Sequence, residues 1–210
     1  MNRDPASSRT GGLTHIDESG AARMVDVSEK DVSARTATAT GRVLLAPEAV
    51  AVLRSGEVPK GDALGVARIA GIMGAKRTPD LVPLCHPIAL HGVKVELTVV
   101  DAGVEITARV KTADRTGVEM EALTAVAVAG LALIDMIKAV DPGAVITDVK
   151  VAEKTGGKTG RWTLPTRADP GPADPPGGAV RVGWDRERSA AVRALVVTVS
   201  NRAAAGSMRT

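Results

Sequence analysis

Phenylalanine and tyrosine are absent from this 210-residue chain, and two tryptophans supply all of its FWY aromatics. The 44% hydrophobic content is therefore almost wholly aliphatic side chains and alanine. A core must be built from Val, Leu, Ile and Ala, whose small side chains let helices and sheets approach closely. Sequence-tolerant binding of single-stranded nucleic acid relies on aromatic stacking platforms, and a chain with only Trp162 and Trp184 has almost none. The net charge of +3 and pI near 9.2 are a mild basic excess, which without such platforms suits a small anionic ligand better than a nucleic acid.

Cysteine is nearly absent too. A single residue, Cys85, excludes an internal disulfide, and the opening MNRDPASSRTGG lacks the apolar stretch of a secretory signal, so the expected setting is cytoplasmic. No run approaches the ~20 apolar residues that span a bilayer, which leaves no role for a membrane.

Residues 1–12 are polar and Gly/Ser-containing and read as a disordered arm; residues 164–183, rich in Pro, Gly and Asp, read as a linker. Between them lies a domain, 13–163. ARTATATGRVLLA (34–46) alternates as a strand does. PEAVAVLRSG follows with Pro47 suited to a first helical turn and Gly56 to a helix end. ALGVARIAGIMGAKRT has helical spacing up to Pro79. HGVKVELTVVD and VEITARVKT alternate around DAG, a hairpin signature. Residues 118–143 form a long Ala/Leu/Val-rich helix ended by Asp-Pro-Gly, and 144–154 a last strand. The order strand, helices, strand, strand, helix, strand predicts an α+β, ferredoxin-like βαββαβ sandwich. In the remaining tail, ALVVTVS reads as a buried strand of the kind found in parallel sheets.

Asp135 and Lys138, three residues apart in the long helix, stand side by side on one face. Such a pair is commonly a surface ion pair of little energetic weight. Their apolar flanks instead suggest surroundings poor in water, where a lysine can act as an acid or base. Glu119 and Glu121 at the start of the helix are accounted for by its N-terminal dipole. Glu121 and Asp135 are fourteen residues apart and hence about 21 Å apart along the axis at ~1.5 Å per residue. If both serve one small substrate, they belong to different copies of the chain, and the small face of Ala125, Ala129, Gly130 and Ala132 is a candidate for close packing between subunits.

Lys60 lies in a turn between Pro59 and Gly61. AEKTGGKTGRW carries Lys154, Lys158 and Arg161 around two glycines but fails the Walker pattern, since Ala152 stands where its first glycine belongs. It is either a loop that neutralises phosphates or a disordered basic tail. Cys85-His86 has no metal-ligand companions at workable spacing, because His15 and His91 stand alone. In an extended segment the two side chains point to opposite sides, which by residue type assigns Cys85 to packing and His86 to binding or proton transfer.

Taken together, THIDESGAARMVDVSEKDVSARTATATG, PKGDALGVARIAGIMGAKRTPDLVPLCHPIAL, DRTGVEMEALTAVAVAGLALIDMIKAVD and VKVAEKTGGKTGRW resemble, in order and over residues 13–163, the cyclic pyranopterin monophosphate synthase (MoaC) family of molybdenum cofactor biosynthesis. The resemblance implies a lyase of the phosphorus-oxygen type that converts a 3′,8-cyclised dihydroguanosine triphosphate into cyclic pyranopterin monophosphate and diphosphate. It further implies a homohexamer, a trimer of dimers, with intersubunit sites. Carried over by motif, Leu84, Cys85, His86, Met120, Glu121 and Lys154 are implied to contact the substrate, and Asp135, Lys138 and Lys60 to be catalytic. No resident metal is expected; Mg²⁺ can accompany the triphosphate. The tail from 184 resembles the opening strand of a MogA/MoaB-like domain, cut short. A ferredoxin-like module that binds RNA or small regulators without catalysis is the alternative, disfavoured by strands without aromatics.

Overall fold

A computed structural model describes residues 21–158 and 160–165. The arm 1–12, the linker beyond 165 and the tail 184–210 lie outside the described residues, as do His15 and Trp184.

Alternation at β1 (Ser33–Leu44) turns Ala37, Ala39, Gly41 and Val43 inward. After it comes α1 (Pro47–Ser55), with Pro47 in its first turn, where the missing N–H has no helical partner to lose. Gly56 ends it at φ 75°, a left-handed conformation that favours glycine. Next, α2 (Ala63–Lys76) is capped by Asp62, whose side chain accepts from the Gly65 N–H at 2.8 Å. As expected, α2 ends before Pro79, which then sits in the first turn of a separate short helix, α3 (Thr78–Leu81). The hairpin is β2 (Gly92–Val100) and β3 (Gly103–Asp114). The long helix α4 (Glu119–Ile137) ends six residues before Gly143, and β4 (Val145–Thr155) follows. A two-residue β5 (Trp162–Thr163), which the sequence pattern does not announce, pairs with Glu153 and Lys154. It makes the glycine-rich segment the loop of a hairpin rather than a basic tail, with Gly156, Gly157 and Gly160 at positive φ.

The sheet runs β2-β3-β1-β4-β5 with every neighbour antiparallel. The fold is thus α+β, an antiparallel sheet with helices, and its strand order is compatible with a ferredoxin-like fold. Val104, Ile106, Ala108 and Val110 of β3 join the inward residues of β1 to meet α4. Helix α4 is wedged between sheet and α2 at distances only small residues permit. A Cβ at Gly71 would stand 2.8 Å from the Ala125 carbonyl oxygen, and one at Gly41 would stand 2.6 Å from Val126 Cγ1.

Two expectations need correction. Of the small face Ala125, Ala129, Gly130 and Ala132, the first three serve packing inside the chain, because Gly71 of α2 and Ile146 of β4 already occupy them. By length and composition α4 is also apolar enough to cross a membrane, contrary to the expectation that no run is. Its Ala122, Val126, Ala129, Leu133 and Ile137 are buried among the sheet and α2, which accounts for the composition.

Candidate active site

Each end of α4 carries a group of the candidate residues. At its start, the chain from 82 to 85 is a turn rather than an extended segment, held by the Cys85 N–H donating to the Val82 carbonyl oxygen at 3.0 Å. Leu84 and Cys85 of the turn and His86 just beyond it all line one cavity of about 440 Å³, together with Met120 and Glu121. This corrects the division that sent Cys85 to packing alone. Val25, Val27 and Lys30, from the segment preceding β1, form another wall. That segment is tied down twice. His86 Nε2 lies 2.7 Å from the Val25 carbonyl oxygen, and since a carbonyl only accepts, the ring proton sits on Nε2. Arg115 Nη1 donates to the carbonyl oxygens of Ser28 and, at 2.5 Å, Lys30.

Glu121 is 3% exposed, and its Oε2 has no hydrogen-bond partner. Burial pushes its carboxyl above the ordinary carboxylate range; Glu119 adds in the same direction, against its own backbone N–H and His86. Burial likewise raises the Cys85 thiol, and the Glu121 charge adds to it. A thiol in that state is a poor nucleophile, which leaves Cys85 as a wall of the cavity.

Beside this cavity lies a second of about 250 Å³, whose lining includes Lys30, Arg35, Arg115, Lys154 and Lys158. Lys154 Nζ donates to Glu119 Oε1 at 2.8 Å. Arg35 is fixed by donating from Nε to the Asp114 carbonyl oxygen at 2.9 Å and from Nη2 to that of Arg115 at 3.0 Å. With Gly156 and Gly157 turned left-handed at φ 90° and 71°, backbone and cations line one cleft suited to an anion. The two cavities share Lys30, Thr116, Gly117 and Glu119 and so adjoin.

At the other end of α4, Lys138 Nζ lies 2.8 Å from Asp135 Oδ1, as the three-residue spacing requires. Lys60, 75 residues away in sequence, reaches the same carboxylate at 3.0 Å and the Asp135 carbonyl oxygen at 2.7 Å. The two lysines, Lys138 first, hold the Asp135 carboxyl below its ordinary value. The expectation that this pair lies where water is scarce is corrected: the side chains of Asp135 and Lys138 are 58% and 59% exposed in this chain. Leu133, Met136 and Ile137 take the inward positions of the last turns, which turns Asp135 and Lys138 outward.

The structure thus joins Leu84, Cys85, His86, Met120 and Glu121 in one cavity, with Lys154 next to it, and separates them from Lys60, Asp135 and Lys138. Sequence reasoning missed Lys30, Arg35 and Arg115 and took Glu119 for a helix-dipole residue. Arg35 carried a readable signal, an arginine in register with the inward positions Ala37, Ala39 and Gly41; Lys30 and Arg115 carried none, since they meet across 85 residues.

Comparison with known proteins decides the family. The MoaC family model matches residues 24–157. The chain belongs to the MoaC family. The match contains both ends of α4, the LCHP turn and the loop at Gly156. Among curated MoaC relatives, the cyclic pyranopterin monophosphate synthase of Streptomyces coelicolor is 73% identical over 151 residues, 72% of this chain and 89% of the relative. That of a Nocardioides species is 66% identical over 156 residues, 73% of this chain and 96% of the relative. Cyclic pyranopterin monophosphate synthase 2 of Mycobacterium tuberculosis is 59% identical over 155 residues, 74% and 93% respectively.

Proposed function

We propose that this MoaC chain is a cyclic pyranopterin monophosphate synthase, a lyase of molybdenum cofactor biosynthesis that turns 3′,8-cyclised dihydroguanosine triphosphate into cyclic pyranopterin monophosphate and diphosphate. The observation that carries the reading is the junction of the two cavities. A site of half-buried Leu84, Cys85 and His86 and exposed Met120 with a buried acid opens into a cationic cleft, the shape and charge of a nucleotide-derived base joined to its phosphates. Lys154, Lys30, Arg35, Arg115 and Lys158 hold the triphosphate. As a hydroxyl of the ribose-derived part closes on the α-phosphorus, the bond to diphosphate breaks, and these cations meet the charge that develops on the departing oxygen. Mg²⁺ brought by the triphosphate belongs to the substrate and is bound by its phosphate oxygens.

Proton transfers in the ring rearrangement fall to Lys138 and Lys60, kept in place by Asp135. These groups are about 21 Å from Glu121 along α4, at ~1.5 Å per residue. A second copy therefore brings its own Lys60, Asp135 and Lys138 to the cavity, within a ferredoxin-like homohexamer built as a trimer of dimers. In support, Val66, Ile69 and Met73 of α2 and Leu131 of α4 form exposed apolar surface on the outer side of the helices, 44–61% accessible, of the kind a partner copy covers. Such a partner would also remove Asp135 and Lys138 from water, giving the low-dielectric setting that acid–base work favours. A cytoplasmic, membrane-free setting goes with the unpaired Cys85.

Incubation with the cyclised triphosphate, following diphosphate and pterin, tests the reading. Product from the wild-type chain and none from Asp135→Asn is expected. A folded hexamer that releases no diphosphate would overturn it.

A further inference from the structure

An acid inside an anion-binding cleft needs a reason. The smaller cavity is lined by Lys30, Arg35, Arg115, Lys154 and Lys158, and its one acidic lining residue is Glu119. That carboxylate stands where the two cavities adjoin, and it lies over Gly117 so closely that a Cβ there would stand 2.8 Å from its Cδ. Its partner is Lys154, which β4 places opposite Ala37 of β1 and whose ammonium reaches the start of α4. Nζ and Oε1 are 2.8 Å apart, and the two side chains are 36% and 27% exposed. The arginines of the cleft are held differently. Arg35 and Arg115 donate to backbone carbonyl oxygens, which leave their charge free for an anion, whereas Lys154, alone among the described cations of the cleft, is paired with a carboxylate. Each arginine fork is fixed by two bonds; a flexible lysine stem can change partners.

We propose that Glu119 is the internal counter-anion of this cleft: it holds Lys154 while the cleft is empty, yields it to an incoming diphosphate group and reclaims it as that group leaves. The ion pair of Glu119 with Lys154, set inside a cleft whose other charged groups are all cations, is the juxtaposition that carries this. A diphosphate group has more charge and more acceptor oxygens than a carboxylate, so beside the fixed arginines it wins the lysine. The displaced carboxylate then faces a like charge in a half-enclosed space, and the repulsion opposes retention. Glu119 thus limits how tightly the cleft keeps its anion. That diphosphate is the product so released rests on the synthase reading; the exchange at Lys154 does not.

Calorimetric titration of the full chain with diphosphate, in the absence of divalent cations, tests the exchange. Glu119→Gln should bind diphosphate at least ~10-fold more tightly than the wild type, since the amide neither holds Lys154 by charge nor repels the ligand. In a Lys154→Met background the same substitution should change affinity by less than about threefold, because the exchanged cation is gone. Glu48→Gln, which removes an exposed acid from the first turn of α1, should leave affinity unchanged. Unchanged or weaker binding by Glu119→Gln overturns the proposal and makes Glu119 a residue that only orients Lys154. An equal gain in the Lys154→Met background overturns the exchange, since the effect then belongs to the general field of the cleft; a wild type that binds no diphosphate overturns it too. If Glu119→Gln fails to fold, a structure of the wild type with diphosphate decides: Lys154 on the phosphate and off Glu119 is expected, and an intact pair overturns the proposal. A wild type that shows the exchange but releases no diphosphate from the cyclised triphosphate would remove the synthase reading alone.

Discussion

The two ends of helix α4 carry acids in opposite circumstances. Glu121, in the first turn, is enclosed, has an unsatisfied oxygen and is pushed toward its neutral form by burial. Asp135, in the last, stands in water between Lys138 and Lys60 and is pushed toward its ionised form by their hydrogen bonds. One rigid element thus presents a finished cavity at one end and an open cluster at the other. The cavity is walled by the turn at Leu84 and Cys85 and by the segment before β1. At the cluster, among the described residues, Lys60 alone reaches Asp135 from outside α4. A helix of 19 residues is too long for one small substrate to touch both ends, and the proposed second copy is what would bring them to one substrate.

The largest effect expected from disturbing this contrast is at the open end. Lys138→Ala should lower diphosphate release by at least ~100-fold, with circular dichroism unchanged, because it removes the proposed proton-transfer group and no packing. Mixing separates the ends next. Asp135→Asn and Glu121→Ala chains, each inactive alone, should regain about a quarter of the wild-type rate when refolded together, since random pairing across a shared interface leaves that share of sites intact. No recovery from mixed hexamers would mean that each site draws both ends from a single chain. Prying α4 from α2 should affect both ends at once: Gly71→Val puts its Cβ against the Ala125 carbonyl oxygen and should lower stability by about 1–3 kcal/mol in denaturant melts.

Smaller effects follow from protons. The folded-state value of Glu121 is raised, so the stability it contributes is complete below the ordinary carboxylate range and is lost as pH rises through the raised value. Glu121→Gln should therefore flatten the decline in melting temperature toward alkaline pH. Asp135 has the reverse sign: its contribution is present above the ordinary value and is lost as pH falls through the lowered one. Being exposed, it should give the smallest change, with Asp135→Asn melting at the wild-type temperature at neutral pH.

Periodicity made most elements legible. The alternation of ARTATATG and of the hairpin, and the apolar run of α4, each carry a period that survives packing. The turn at Leu84 and Cys85 did not, since the prolines at 83 and 87 make an extended segment and a turn look alike. The small residues of α4 announced close packing correctly but not their partner, because Gly71 and Gly74 are equally small and lie elsewhere in the chain. β5 is two residues long and exists only because β4 offers it an edge.

By itself the sequence determined the element order, the aliphatic core, the spacing that joins Asp135 to Lys138, and the motifs that resemble the family, since each depends on neighbours along the chain. The tertiary structure alone decided which residues meet. Lys60 with Asp135, Arg115 with the turn at Lys30, and Lys154 with Glu119 are contacts made across 35 to 85 residues. It also decided which acid is buried. Glu119 and Glu121 are the same residue type two positions apart, and only the direction in which α4 faces its surroundings gives one a lysine and leaves the other an unpaired oxygen.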